Sequence, residues 1–168
     1  GEDIRITTQL IDVKTGDHHW SETYDGNYTQ KIFDFQSAVA RKVASSLNVI
    51  INPEEEKRLD KKSTNEIMAF DLYWQGMDMV DNYTYTSEEK YLESANVLFE
   101  KALVIDPDYA LAMHGKGHAL KIKADKTSRN YDSAMVYADR AILLDPMNME
   151  GYGLKASIYV NQGQRDLA

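Results

Sequence analysis

Cysteine is absent from the 168 residues, which excludes disulfides, thiolate nucleophiles and cysteine-ligated zinc. Long apolar runs are also missing: none approaches the roughly 18 residues that a spanning helix requires, and the first residues show no basic and apolar leader. Basic residues are the minority, with 19 Lys and Arg against 27 Asp and Glu, a net charge of −8 and a pI near 5.0. Nucleic-acid affinity rests on clustered cations that neutralise phosphates, so no nucleic-acid partner is expected. Proline occurs only three times, at Pro53, Pro107 and Pro146, and each marks the start or stop of a helical pattern. Nor do the residues assemble into a glycine-rich phosphate cradle or a nucleophile with its base, so no catalytic residues and no cofactor are assigned.

What is present is a repeat. Phe99-Glu100-Lys101-Ala102-Leu103-Val104-Ile105-Asp106-Pro107 returns as Ala138-Asp139-Arg140-Ala141-Ile142-Leu143-Leu144-Asp145-Pro146. Ala102 and Ala141, Asp106 and Asp145, and Pro107 and Pro146 are each 39 residues apart, a spacing that signals a solenoid of stacked units.

Before the repeat the pattern is different. Ile4, Ile6, Thr8 and Leu10 alternate with Arg5, Thr7 and Gln9, which predicts a strand reaching Val13. Lys14-Thr15-Gly16-Asp17 supplies a turn with Gly16 free to take positive φ, and His18 to Tyr24 runs back as a second strand. Ile32, Phe35, Val39, Val43 and Leu47 then recur at helical spacing. Two strands and one helix are a marginal unit alone, so the reading expects part of this domain to lie outside the chain. Asn52-Pro53-Glu54-Glu55-Glu56 predicts a capped helix start, with carboxylates suited to the positive end of the helix dipole.

From Ile67 helices follow one another: to about Val80, then a polar loop over Asn82 to Ser87, then Glu88 to Ile105, Tyr109 to Lys123, a loop over Asp125 to Asn130, Tyr131 to Leu144, and Met149 to Asn161, with a sixth barely begun at Ala168. Asp-Pro stops the second and fourth. The start at Gly1 and the stop at Ala168 in mid-pattern predict an excised fragment.

These helix pairs resemble tetratricopeptide repeats, where small residues let two helices approach and a proline punctuates the step to the next pair. Gly76, Ala95, Phe99, Ala102 and Pro107 match the series in one unit, and Gly117, Ala134, Ala138, Ala141 and Pro146 in the next, with Ala138 where an aromatic is commoner. The extra length over the usual unit is assigned to the loops within each pair. Ile6-Thr7-Thr8-Gln9-Leu10-Ile11-Asp12, Thr15-Gly16, Trp20 to Asp25 and Phe33 to Ala40 resemble the end of a TolB-amino-terminal-like (FlgO-like) α/β domain. In bacterial proteins of that architecture the pair typically follows a class III adenylate or guanylate cyclase domain, and sometimes a winged-helix or protein-kinase domain.

The expected fold class is therefore mainly α: a solenoid preceded by a partial α/β unit. Residues 1–51 form that unit, 52–65 a connector and 66–168 the solenoid, with repeats at about 69–109, 110–148 and a truncated 149–168. In the family the first helix of each pair lines a concave groove, which implies Phe70, Tyr73, Met77 and Asp81 from one unit and Leu111, His114, His118 and Lys121 from the next. Such a mixed lining suits a peptide or partner protein.

The expected role is a non-catalytic interaction or regulatory region of a bacterial signalling protein resembling a nucleotide cyclase, with no membrane contact of its own. The alternatives are an oligomerisation module of a winged-helix regulator or kinase, and a metal-binding enzyme fragment. For a homo-oligomer, the unfinished third unit leaves Leu154 and Ile158 short of partners, and the first strand offers an open edge. For a metal, His114 and His118 share a helix face, yet Gly115 stands where a metalloprotease has its glutamate and no third ligand is evident. His18-His19 point to opposite faces of a strand. Tyr83, Tyr85 and Tyr91 read as loop-to-helix packing. Asn27-Tyr28-Thr29 and Asn82-Tyr83-Thr84 match glycosylation sequons, which matter only in a secreted eukaryotic protein.

Overall fold

The computed structural model describes residues 3–27, 31–127 and 130–168. Among them are one two-stranded antiparallel sheet and seven α-helices, in two compact units, Gly1–Asn65 and Glu66–Ala168.

In the first unit β1 (Asp3–Ile11) pairs with β2 (His18–Asn27), setting Ile6 opposite Tyr24 and Leu10 opposite Trp20. The alternation is visible in burial: Ile4, Ile6, Thr8 and Leu10 are half-buried, while Arg5, Thr7 and Gln9 are exposed. The strand stops short of Val13, which is 98% exposed. Asp12 is the reason. Its carboxylate accepts the Lys14 and Thr15 amides at 2.7 and 3.0 Å, its carbonyl accepts the Gly16 amide, and Gly16 takes φ +76°, so the chain turns before Val13 can pair.

Helix α1 (Lys31–Ser46) packs on β2 through an edge-on contact of Phe35 with Tyr24, 4.6 Å between ring centres. Helix α2 (Pro53–Asp60) has the capping box that its sequence predicts: the Asn52 side chain accepts the Glu54 and Glu55 amides, and Glu55 accepts the Asn52 amide at 2.8 Å. Arg41 of α1 ties it down by bonding Glu56 at 2.6 Å and Asp60 at 2.5 Å. Phe33, 4% exposed, is the one buried hydrophobic residue among the described residues of this unit. Tyr28 and Thr29 of the first sequon lie outside the described residues.

The second unit holds α3 (Ile67–Thr86), α4 (Glu89–Ile105), α5 (Ala110–Lys126), α6 (Asp132–Leu144) and α7 (Met149–Asn161), then a 3-10 turn at Arg165–Leu167. Each helix packs on the next, and α5 also touches both α3 and α7. The small residues explain how. The Phe99 ring of α4, fully buried, lies where side chains at Gly76 of α3 and Gly115 of α5 would stand: a Cβ at either would be 2.5 Å from Phe99 Cε1. One aromatic ring thus joins three helices, and it fits only because two of them lack a side chain there. Ala69, Ala95, Ala102 and Ala112 belong to the same cluster, as do Tyr73 and Tyr109.

The 39-residue period reappears as chemistry. Asp106 Oδ1 accepts the Asp108 amide at 3.1 Å and Asp145 Oδ1 accepts the Met147 amide at 3.0 Å, each closing a turn around the proline. Lys116 of α5 bonds Glu100 of α4, and Lys155 of α7 bonds Asp139 of α6 at 2.6 Å. These pairs, again 39 residues apart, link the second helix of one hairpin to the first helix of the next.

Three expectations are corrected. Asn82 to Thr86 are helix and not loop, so the extra residues of the first hairpin lengthen α3 to 20 residues. Their polar side chains turn back on the helix: Asn82 Nδ2 donates to the Asp78 carbonyl, Thr84 to Val80 and Thr86 to Asn82. Tyr83, only 7% exposed, is held in the core, and the helix ends at Ser87 with φ +58°. Asp125 and Lys126 are likewise the last turn of α5; residues 128 and 129 of that expected loop lie outside the described residues. Leu154 and Ile158 do not lack partners. They are 4% and 0% exposed against Ala134 and Ala138, and Leu154 Cδ2 occupies the space beside Gly117, 2.7 Å from where its Cβ would be. Leu154 supplies volume that the small side chain of Ala138 does not.

Replacing Gly115 by Ala should therefore destabilise the chain in spite of the ~1 kcal/mol of helix propensity that alanine gains, because overpacking costs about 1–3 kcal/mol. In a Phe99→Leu background the same Gly115→Ala change should become neutral or stabilising. Urea unfolding of the four variants of this cycle reads the sign reversal. A second check uses the buried end of the Lys116 pair: Glu100→Ala should cost about 1–3 kcal/mol by stranding a Lys116 that is 8% exposed, whereas Lys116→Met should be nearly neutral.

Candidate partner-binding groove

Helical spacing puts Phe70, Tyr73, Met77 and Asp81 along one stripe of α3, and Leu111, His114, His118 and Lys121 along one stripe of α5. Their surroundings differ. Phe70 is half-buried with its ring edge-on to Trp74 at 6.1 Å. Met77 and Leu111 are half-buried and pack on the first core cluster. Asp81 is exposed. Tyr73 is only 4% exposed, with ring centres 6.1 Å from Phe99 and 5.6 Å from Tyr109, so it supports the wall from beneath and offers almost no surface. Burial, helped by the Glu150 carboxylate, pushes its phenol up to about 12. Trp74, absent from the sequence reading, is 49% exposed between Phe70 and Tyr73. An aromatic four residues after Phe70 was the available signal.

On α5, the rings of His114 and His118 lie nearly parallel, 17° apart, with centres separated by 5.7 Å. The Nδ1 atom of each is buried and has no hydrogen-bond partner. Burial lowers the His114 pKa to about 4, with the neighbouring His118 charge adding to it. His118 is also lowered, by burial and then by Lys121, against the opposing pull of Asp125 and Asp81. The Asp81 carboxylate of α3 is thus near enough to α5 for its charge to act on His118. At pH 7 both imidazoles are neutral, each with one donor and one acceptor. Among the described residues no group of three His, Asp or Glu is arranged to hold a metal ion.

Lys121 is committed elsewhere. It bonds Asp125 at 2.9 Å, one turn along α5, and Asp125 also accepts Tyr131 Oη at 2.7 Å and Asn161 Nδ2 at 2.8 Å. This carboxylate joins α5, the start of α6 and the end of α7. Burial pushes it up, but the three donors outweigh burial and hold it below the usual carboxylate range. The pairing of Lys121 with the residue four positions on was readable in the sequence; the reach to Asn161 was not. His18 and His19 are both exposed on β2.

No family model matches this chain. A protein of Rhizobium meliloti (strain 1021) named "Putative adenylate cyclase 3" is 31% identical to it over 109 residues, which cover 65% of this chain and 18% of the relative. The chain thus spans less than a fifth of that relative's length.

The two histidines make stability depend on pH with a definite sign. Their folded pKa values lie below the ~6.5 of the unfolded chain, so between those values the unfolded chain binds more protons. Stability is complete above about pH 6.5 and falls as pH drops toward 4, by on the order of 3 kcal/mol for His114 in full. Urea midpoints at pH 7 and pH 4.5 should differ less for His114→Gln than for the unaltered chain.

Proposed function

We propose that this chain is a non-catalytic interaction region of a bacterial signalling protein related to adenylate cyclases. In this reading residues 66–168 are a tetratricopeptide-type solenoid, and the half-buried face of α3 and α5 receives a partner peptide or protein segment. The observation that carries it is the contact pattern: α5 packs directly on α3 and on α7 as well as on α4 and α6, so the first helices of successive hairpins lie side by side and present their stripes together. The recurrence of the Asp turns and of the Lys116 and Lys155 ion pairs at one spacing supports the repeat reading. The similarity to a named adenylate cyclase supports the signalling context.

The surface itself suits recognition of an extended or helical segment with an apolar anchor. Phe70, Trp74, Met77 and Leu111 give adaptable apolar contact. His114 and His118 add the half-buried faces of two nearly parallel imidazole rings to that contact. Asp81 gives the face a negative rim, which favours a partner with a cation beside its anchor. Lys121, tied to Asp125, works on the scaffold side.

Selection of a phage-displayed dodecapeptide library on the purified chain tests the reading. Enriched peptides should share an apolar residue next to Lys or Arg, and the triple change Phe70→Ala, Asp81→Lys and His114→Ala should weaken them at least tenfold, with the thermal midpoint held as a control. Recovery of no specific binder, or binders indifferent to the triple change, would overturn the proposal.

A further inference from the structure

A cavity of about 160 Å³ lies away from that face, between the end of α3, the first half of α4 and the end of α5. Leu92, Ala119 and Leu120 supply apolar lining and the Tyr83 ring a flat wall. Asn96 lines it as well, and its Oδ1 is buried with no hydrogen-bond partner. The amide orientation has a reason: Nδ2 faces the Glu100 carboxylate at 3.4 Å, and reversing it would set oxygen against oxygen. That oxygen is sealed from the cavity, so Asn96 serves as part of its wall.

Charges of both signs border the same space. Lys126 holds its ammonium 4.9 Å above the Tyr83 ring. Lys123 makes no ion pair among the described residues, and neither do Glu89 and Glu93, although all three line the cavity. A simple anion would meet the two carboxylates, a simple cation the two lysines. Only a ligand with separated charges satisfies both, and the volume matches a cavity of about 150 Å³ that accepts a benzene-sized body.

We infer that this cavity is a binding site for a free α-amino acid with an apolar side chain of leucine or phenylalanine size. Its side chain fills the space over Leu92 and Ala119, its ammonium meets the Glu89 and Glu93 carboxylates, and its carboxylate meets Lys123 and Lys126. Burying the hydrocarbon favours entry, and each charged end of the ligand gains a charge-assisted partner. The site stands apart from the groove, so its test does not depend on whether a peptide binds there.

Isothermal titration calorimetry of the 168-residue chain with L-leucine and L-phenylalanine, and with phenethylamine and 3-phenylpropanoate as analogues lacking one charge each, decides it. At least one amino acid should bind with Kd of 1 mM or tighter, and its single-charge analogues at least tenfold more weakly. Lys123→Glu should weaken the amino acid tenfold or more. Asn96→Leu, which fills the cavity and removes the unmet oxygen, should abolish binding while keeping or raising the unfolding midpoint. That midpoint separates loss of the site from loss of the fold. No heat from either amino acid at 10 mM, equal affinity for a single-charge analogue, or binding unmoved by Asn96→Leu would each overturn the inference.

Discussion

The second unit depends on one steric arrangement, the ring of Phe99 seated where Gly76 and Gly115 have no side chains. Burying an aromatic ring is among the larger single contributions a small core can receive, and here one ring serves α3, α4 and α5 together. Neither glycine is there for backbone freedom; each sits in a helix, where glycine is otherwise unfavourable by ~1 kcal/mol. That helix cost is offset because the ring can come within contact of both backbones. The next hairpin solves the same problem differently. Ala138 takes the place of Phe99, Gly117 again leaves space, and Leu154 of α7 enters it. Two chemically unlike fillings thus support one repeated helix arrangement.

Polar groups then set the register of that apolar stack. The Lys116 and Lys155 pairs are directional, and each fixes one hairpin against the next along the helix axes. Asp125 does the same across a longer span by gathering Lys121, Tyr131 and Asn161. A carboxylate with three donors is well satisfied, in contrast to His114, His118 and Asn96, each of which keeps one buried atom without a partner. Satisfied groups thus stand at the joints, and the unsatisfied atoms lie beneath the face of α5 and in the cavity wall on α4.

The first unit is held by other means. With Phe33 its one buried hydrophobic residue among those described, it relies on the hairpin ladder, the Tyr24–Phe35 contact, the Arg41 fork and the capping box of α2. The Arg5–Asp25 pair is largely exposed, and pairs of that kind contribute about 0–1 kcal/mol. This unit is therefore expected to open more readily than the Phe99 cluster.

Local chemistry was legible in the residues themselves. Asp-Pro ended α4 and α6, Asn52 capped α2, Gly16 took the positive φ of its turn, and the alternation from Ile4 produced a half-buried strand face, because each acts within a few positions of its own backbone. Tertiary structure decided the rest. Asn82 to Thr86 read as loop by composition, yet burial of Tyr83 outweighs that weak preference and keeps them helical. Tyr73 shares a helix stripe with Phe70 and Met77 but is claimed by Phe99 and Tyr109 from below. Lys116, unmarked in the sequence, is a buried joint, while Lys121 is bound to Asp125. A stripe of residues on a helix is determined by 3.6-residue periodicity alone; which members reach solvent depends on neighbours contributed from 16 to 36 positions away, and only the packed chain brings those together.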